Sequence, residues 1–171
     1  MSRAVSFSVK QPNGETVFFT QSAEDAHCIN MKDPDEPLGR VALRSFELEG
    51  VTWPTAEHYL QAMRFEREAD REAVRQAPTL ERARKLAGGW FKKKRPNWKA
   101  EQPVLMSRAL YTQCLTYPEM AQALLGTGDQ VLLEDSQFDY YWGIGRDRRG
   151  DNHYGQVLMN IRERLRQRAA E

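Results

Sequence analysis

Apolar and polar positions alternate from the start of the chain. Val5, Phe7 and Val9 are separated by polar neighbours, Pro12-Asn13-Gly14 supplies a turn, and Val17-Phe18-Phe19 resumes the apolar pattern, which predicts an N-terminal β-hairpin. From Gln21 to Arg40 the periodicity lapses, and Asp-Pro, Glu-Pro and Leu-Gly dipeptides mark a long loop. Phe46 and Leu48 then alternate with Glu47 and Glu49, Gly50 turns the chain, and Val51-Thr52-Trp53 leads to Pro54, a residue favoured at the first helical position. A second hairpin is therefore expected to run directly into a helix.

In that helix Ala56, Leu60 and Met63 form an apolar stripe, while Glu57, Gln61 and Arg64 recur at i, i+4 and i+7 on another face. Further helices are expected from Asp70 to Gln76 and from Leu80 to Ala87, the second capped by Thr79 and stopped by Gly88-Gly89. Leu105, Met106, Ala109, Leu110 and Cys114 fit another, which Pro103 can join only near its first turn because it has no amide hydrogen to give. A short helix from Pro118 to about Gly126 and a buried strand at Val131-Leu132-Leu133 follow. An aromatic, glycine-rich loop and an amphipathic helix through Val157, Leu158, Ile161 and Leu165 complete the pattern. The sum is a helix-rich α+β fold with a few short antiparallel strands. It is read as one domain over residues 1–171, with the first hairpin and loop occupying about 1–45.

Length and composition agree with that picture. A chain of 171 residues can bury its own core, and 40% hydrophobic with 29% charged residues excludes a disordered chain. The net charge is only +1, so attraction to nucleic acid or to a membrane surface would need a local cluster. Cys28 and Cys114 have no metal-ligand spacing, and Met1-Ser2-Arg3-Ala4 opens without an apolar signal stretch, which points to a cytoplasmic protein. No apolar run approaches the roughly 18 to 20 residues that cross a bilayer, so no membrane partner is expected. His27, His58 and His153 are scattered, and phosphate-loop, dinucleotide and nucleophile-elbow motifs are missing; neither a metal nor a cofactor is expected.

Three stretches carry candidate chemistry. In Trp53-Pro54-Thr55-Ala56-Glu57-His58-Tyr59-Leu60-Gln61-Ala62 a carboxylate lies in the first turn of a helix, where the dipole favours its ionised form. Such an anion suits the oxocarbenium-like transition state of cleavage at a sugar's anomeric carbon, or the orientation of water. The commoner role of a first-turn glutamate is simply to complement the dipole. Asp139, within Ser136-Gln137-Phe138-Asp139-Tyr140-Tyr141-Trp142-Gly143-Ile144-Gly145, offers a second carboxyl beside aromatics able to stack on a base, although aromatic packing and an Asp-made turn explain it equally. Lys92-Lys93-Lys94-Arg95, bracketed by Trp90, Phe91 and Trp98, joins phosphate contacts to stacking surfaces, where a solvated charge run is the plainer reading. Arg40, Arg44 and the run Arg146-Asp147-Arg148-Arg149 are further candidates for a phosphate.

Together with Arg95-Pro96-Asn97-Trp98, Asp139-Tyr140-Tyr141-Trp142-Gly143 and Asn152-His153-Tyr154-Gly155 followed by Leu158-Met159, the Glu57 segment resembles the NADAR superfamily in its YbiA-like branch, in order and in spacing over about residues 46–165. The resemblance implies an N-glycosidase acting on ribosylaminopyrimidine phosphates of early riboflavin synthesis, or alternatively one that removes ADP-ribose from guanine bases in nucleic acid. By the same motifs it implies Glu57 and Asp139 as catalytic residues. Trp98, Trp142, Tyr141, Gly143, Asn152, Arg95 and Arg44 are expected to bind a phosphorylated ribosyl substrate, with Trp98 and Trp142 flanking the base. Two departures stand out. Leu38-Gly39-Arg40 replaces a Phe-Ser-Asn-Phe-like segment, and Arg64 stands where the family often has Lys, which removes any Schiff-base chemistry there. A non-catalytic ADP-ribose or nucleotide-binding module and a single-strand-binding domain built on residues 90–98 are the rival classes.

Overall fold

The computed structural model describes the backbone of residues 4–10, 16–22, 26–90 and 92–171, and the side chains of 26–90 and 92–171. The elements run β1 (Ala4–Lys10), β2 (Thr16–Ser22), β3 (Ala26–Asn30), β4 (Phe46–Leu48), β5 (Val51–Trp53), α1 (Ala56–Met63), α2 (Glu68–Arg75), α3 (Leu80–Ala87), α4 (Trp98–Thr116), α5 (Pro118–Gly126), β6 (Val131–Asp135) and α6 (His153–Ala170). This is the helix-rich α+β fold expected. Two compact units divide it: Arg40–Pro118, and Met1–Gly39 together with Glu119–Glu171.

In the unit Arg40–Pro118, β4 and β5 pair antiparallel with Phe46 opposite Trp53. Glu49 (φ 55°) and Gly50 (φ 77°) both adopt the left-handed region that a two-residue hairpin turn requires. Pro54 does not open α1. The extended Thr55 caps it, and its Oγ1 accepts from the His58 amide at 3.1 Å, so a side chain that satisfies an orphan N–H sets the first helical residue at Ala56, two beyond Pro54. α1 packs against α2, α3 and α4. Ala56 and Leu60 of its apolar stripe are inside and Met63 is half-buried, with Tyr59 edge-on to Phe46 and Trp53, but Glu57 and His58 are inside as well.

α3 has the bounds its caps predict: Thr79 Oγ1 accepts from the Arg82 amide at 3.1 Å, and the Gly88 amide donates to Arg84 at 2.9 Å. Thr79→Ala should lower the unfolding free energy by about 1 kcal/mol in a denaturant titration, because one helix-end amide loses its partner. α4 departs from expectation. It begins at Trp98, so Pro103 lies in its second turn rather than its first. Asn97, at φ 56°, starts the helix by accepting from the Ala100 and Glu101 amides, and the proline forfeits one backbone bond in a helix of 19 residues. Leu105, Met106, Ala109, Leu110 and Cys114 are buried along it, as their spacing predicts.

In the other unit β1 and β2 pair antiparallel from Ala4 opposite Ser22 to Lys10 opposite Thr16, as expected; the turn read at Pro12-Asn13-Gly14 lies outside the described residues. The long loop expected from Gln21 to Arg40 contains β3, which pairs parallel with β6, Ala26 opposite Val131. Local periodicity could not show this, because the strand takes its hydrogen-bond partners from about a hundred residues later in the chain. The predicted strand at Val131-Leu132-Leu133 extends to Asp135 and contributes Val131 and Leu133 to a small core with Ile144, against which Met159 of α6 packs. Among the described residues no helix is long and apolar enough to cross a membrane.

Candidate active site

Glu57 is the best-defined functional candidate. It lies in the first turn of α1 and is 1% exposed, yet its carboxylate is bonded at both oxygens. Arg40 Nη1 donates to Oε2 at 2.8 Å, Gln61 Nε2 to Oε1 at 2.9 Å, and Arg84 Nε to Oε1 at 3.4 Å. Gln61 arrives through the i, i+4 geometry of α1, Arg40 from the segment before β4, and Arg84 from α3. Burial by itself pushes the Glu57 carboxyl up, but the Arg40 and Arg84 guanidiniums, with hydrogen bonds from Gln61 and Arg40, outweigh it and hold the group below the usual carboxylate range. Glu57 is therefore an anion at neutral pH, as its place at a helix start suggests. A carboxylate offers about four lone-pair positions, and three donors of this unit occupy three of them.

Both ring nitrogens of the neighbouring His58 are engaged within this unit. Its Nε2 lies 3.0 Å from the Ala77 carbonyl, which can only accept, so Nε2 carries the proton and Nδ1 accepts from the Thr55 hydroxyl at 2.9 Å. The imidazole thereby ties α1 to the connection between α2 and α3.

The aromatic loop of the other unit is a strapped framework rather than a flexible strand-to-helix link. Asp139 Oδ1 accepts from the Tyr141 amide at 3.1 Å and the Trp142 amide at 2.8 Å, an Asx turn. Tyr140, Tyr141, Trp142 and Gly143 then accept through their carbonyls from the amides of Asp151, His153, Tyr154 and Asn152. Trp142 is buried, and the half-buried Tyr141 ring lies edge-on to it and 4.2 Å from the His153 ring. Burial pushes the Tyr141 hydroxyl up to about 12, with Asp151 and Asp139 adding to the effect, so it is a neutral donor at physiological pH. A side chain at Gly143 would sit 2.8 Å from Ser136 Cβ. Asn152 is fully buried at φ 52°: its Nδ2 donates to the Leu132 carbonyl at 2.9 Å and its Oδ1 accepts from the Glu134 amide at 2.9 Å, fastening β6 to the start of α6.

The basic stretch is largely matched by nearby acids. Lys93 pairs with Glu66 at 2.7 Å, Arg95 with Glu101 at 2.7 Å, and Lys92 approaches Asp70 at 3.8 Å. Trp90 is exposed, Trp98 is half-buried at the start of α4, and Phe91 lies outside the described residues. Arg44 is half-buried and its carbonyl accepts from Gln113 Nε2 at 2.8 Å. Arg64 caps the C-terminus of α1, and its buried Nε has no hydrogen-bond partner.

The structure thus gathers Glu57, Gln61, Arg40 and Arg84 into one cluster, and Asp139, Tyr141, Trp142, Gly143 and Asn152 into one loop. Arg40 was visible in the sequence only as one of several possible phosphate ligands, and its carboxylate partner is 17 residues away. Arg84, 27 residues beyond Glu57, gave no signal, because nothing in the spacing of α3 tells which basic residue turns inward.

The cluster and the loop can be set beside known proteins. The NADAR domain matches residues 8–166 of the chain. The chain is 35% identical over 119 residues to the N-glycosidase YbiA of Escherichia coli, covering 70% of this chain and 74% of that protein. It is 34% identical over 154 residues to an N-glycosidase of Nostoc punctiforme, covering 88% and 93%. A riboflavin biosynthesis protein of Vibrio vulnificus is 34% identical over 144 residues, which is 82% of this chain and 39% of that protein. The NMR structure of E. coli YbiA superposes with a TM-score of 0.78 at 31% identity, covering 86% of this chain and 89% of that one. With the family match running over nearly the whole chain and relatives above 30% identity over most of it, this protein belongs to the NADAR domain family.

Proposed function

We propose that this chain is an N-glycosidase that hydrolyses the bond between a ribose phosphate and a nitrogen base or amine, of the kind found in ribosylaminopyrimidine phosphates. The observation that carries the reading is a buried glutamate held ionised by two arginines in the first turn of α1. The activity named for its relatives supports the reaction class, and the riboflavin biosynthesis protein of Vibrio supports the substrate.

In this reaction the carbon–nitrogen bond breaks with its electron pair leaving on nitrogen, the anomeric carbon becomes positive, and water adds to it as a proton passes to solvent and the leaving nitrogen gains one. Glu57 opposes the positive charge and uses its remaining lone pair to hold the water or a sugar hydroxyl. Held below the ordinary range, it acts through charge and orientation more than as a proton acceptor. In the same unit Trp98 offers a ring for the base, and Arg44 and Arg95 positive charge. Asp139, expected as a second acid, shapes the aromatic loop of the other unit, which Gly143 and Asn152 hold to β6 and α6.

Mass spectrometry of a mixture offering a ribosylaminopyrimidine phosphate and an ADP-ribosylated guanine oligonucleotide tests the proposal. Base release from the first is expected. Release from the oligonucleotide alone would transfer the activity to ADP-ribosylated nucleic acid, and release from neither would leave a binding module. The ion-paired state of Lys92, Lys93 and Arg95 counts against a surface built for long polynucleotides.

A further inference from the structure

Glu57 has more donors than holding its charge requires. Buried Arg40 at 2.8 Å and Gln61 at 2.9 Å already engage both oxygens. Arg84 adds the longest bond of the three, at 3.4 Å and through Nε alone, and its side chain is 49% exposed. Glu57 is the only partner of that half-exposed side chain among the described residues, and its two Nη groups carry no hydrogen bond. The donors of a guanidinium fan out around a plane, which lets Nε stay on a carboxylate while the Nη pair grips a second anion in the two-pronged geometry that phosphate favours.

Two other observations point the same way. One turn beyond Gln61 on the polar face of α1, Arg64 carries a buried Nε with no acceptor, so one donor of this face is left for a ligand to meet. Arg95, the cation the sequence marked for a phosphate, is engaged by Glu101 at 2.7 Å.

We propose that Arg84 is the residue that recognises the substrate's phosphate, binding a phosphate monoester through its Nη groups while its Nε remains on Glu57. The inference rests on the reading of the Glu57 cluster as the active site and adds a specificity to it. A phosphate held by the guanidinium that touches Glu57 must lie close to the reacting carbon, so the site selects a sugar that itself carries the phosphate. Arg84 thereby couples substrate choice to the placement of the carboxylate.

Ribose 5-phosphate and inorganic phosphate, titrated calorimetrically into wild type, Arg84→Gln and Arg84→Lys, test this without any turnover. Wild type should bind ribose 5-phosphate, Arg84→Gln should bind it about 10- to 100-fold more weakly, and Arg84→Lys should fall between, with charge kept and the fork lost. The midpoint of thermal unfolding should move little, because Arg40 still neutralises Glu57. On a ribosylated substrate with and without its phosphate, the wild-type preference for the phosphorylated form should collapse by a similar factor in Arg84→Gln, through KM more than kcat. Equal ribose 5-phosphate affinity in wild type and Arg84→Gln, or no binding by wild type, overturns the proposal. Failure of turnover in every variant with the binding loss intact would instead sink the glycosidase reading and leave the role of Arg84 standing.

Discussion

Replacing Glu57 with Gln should reduce kcat for base release by about 100- to 1000-fold, the loss typical when a preorganised charge opposite a developing charge is removed. The same change should destabilise the fold by several kcal/mol, roughly 3 to 5 for a buried pair that loses one partner, because the ion pair between Glu57 and buried Arg40 is broken. Activity must therefore be read below the variant's own unfolding transition, with ligand binding measured in parallel. A variant that is less stable but turns over at the wild-type rate would reduce Glu57 to a structural ion pair. The pH dependence has a definite sign. Burial alone would raise the carboxyl, but the arginines and hydrogen bonds prevail and lower it from 4.5. A lowered folded-state value contributes stability that is present above the unfolded value near 4.5 and is lost as pH falls through the lower folded value. The acid limb due to Glu57 should accordingly lie below the ordinary glutamate range, in stability and in rate alike.

Gly155→Ala should be the most damaging small substitution in the unit that contains β6 and α6. A Cβ there would stand 2.0 Å from the Leu132 carbonyl and 2.5 Å from Asn152 Nδ2, both within the bracket that fastens the strand to the helix. The backbone must separate, straining the packing and breaking the Asn152 hydrogen bonds, for a cost of about 3 to 5 kcal/mol. The gain of about 1 kcal/mol in helix propensity from glycine to alanine does not offset it. Gly126, the last residue of α5, has nothing within 4 Å of its would-be Cβ, and Gly126→Ala should be neutral or slightly stabilising. Denaturant titrations of the pair check the contrast; a near-neutral Gly155→Ala would show that α6 and β6 do not approach as closely as described.

Where local chemistry decides the structure, the sequence was informative. Thr79 and Gly88 bounded α3, Gly50 marked the β4–β5 turn, and Pro118 marked the start of α5. It failed where the deciding partner is remote. β3 is a strand because β6 completes it. The candidate site divides in the same way. Glu57 and the Asp139–Gly143 loop were visible from residue type and spacing, as was the polar face of α1 with Gln61. That Glu57 on this face lies inside, and that Arg40 and Arg84 rather than the lysine-rich stretch meet it, follows only from helix packing.

The parallel pairing of β3 with β6 also bears on how the chain assembles as it is made. All of Arg40–Pro118 emerges from the ribosome before β6 and α6 do, so that unit can complete its helices around α1 while β3 still lacks its strand partner. Closing the β3–β6 ladder is a late, high-contact-order step that waits for the last third of the chain. Until then β3 presents an unpaired edge, and that interval is when the nascent chain is most exposed to mispairing with another copy of itself.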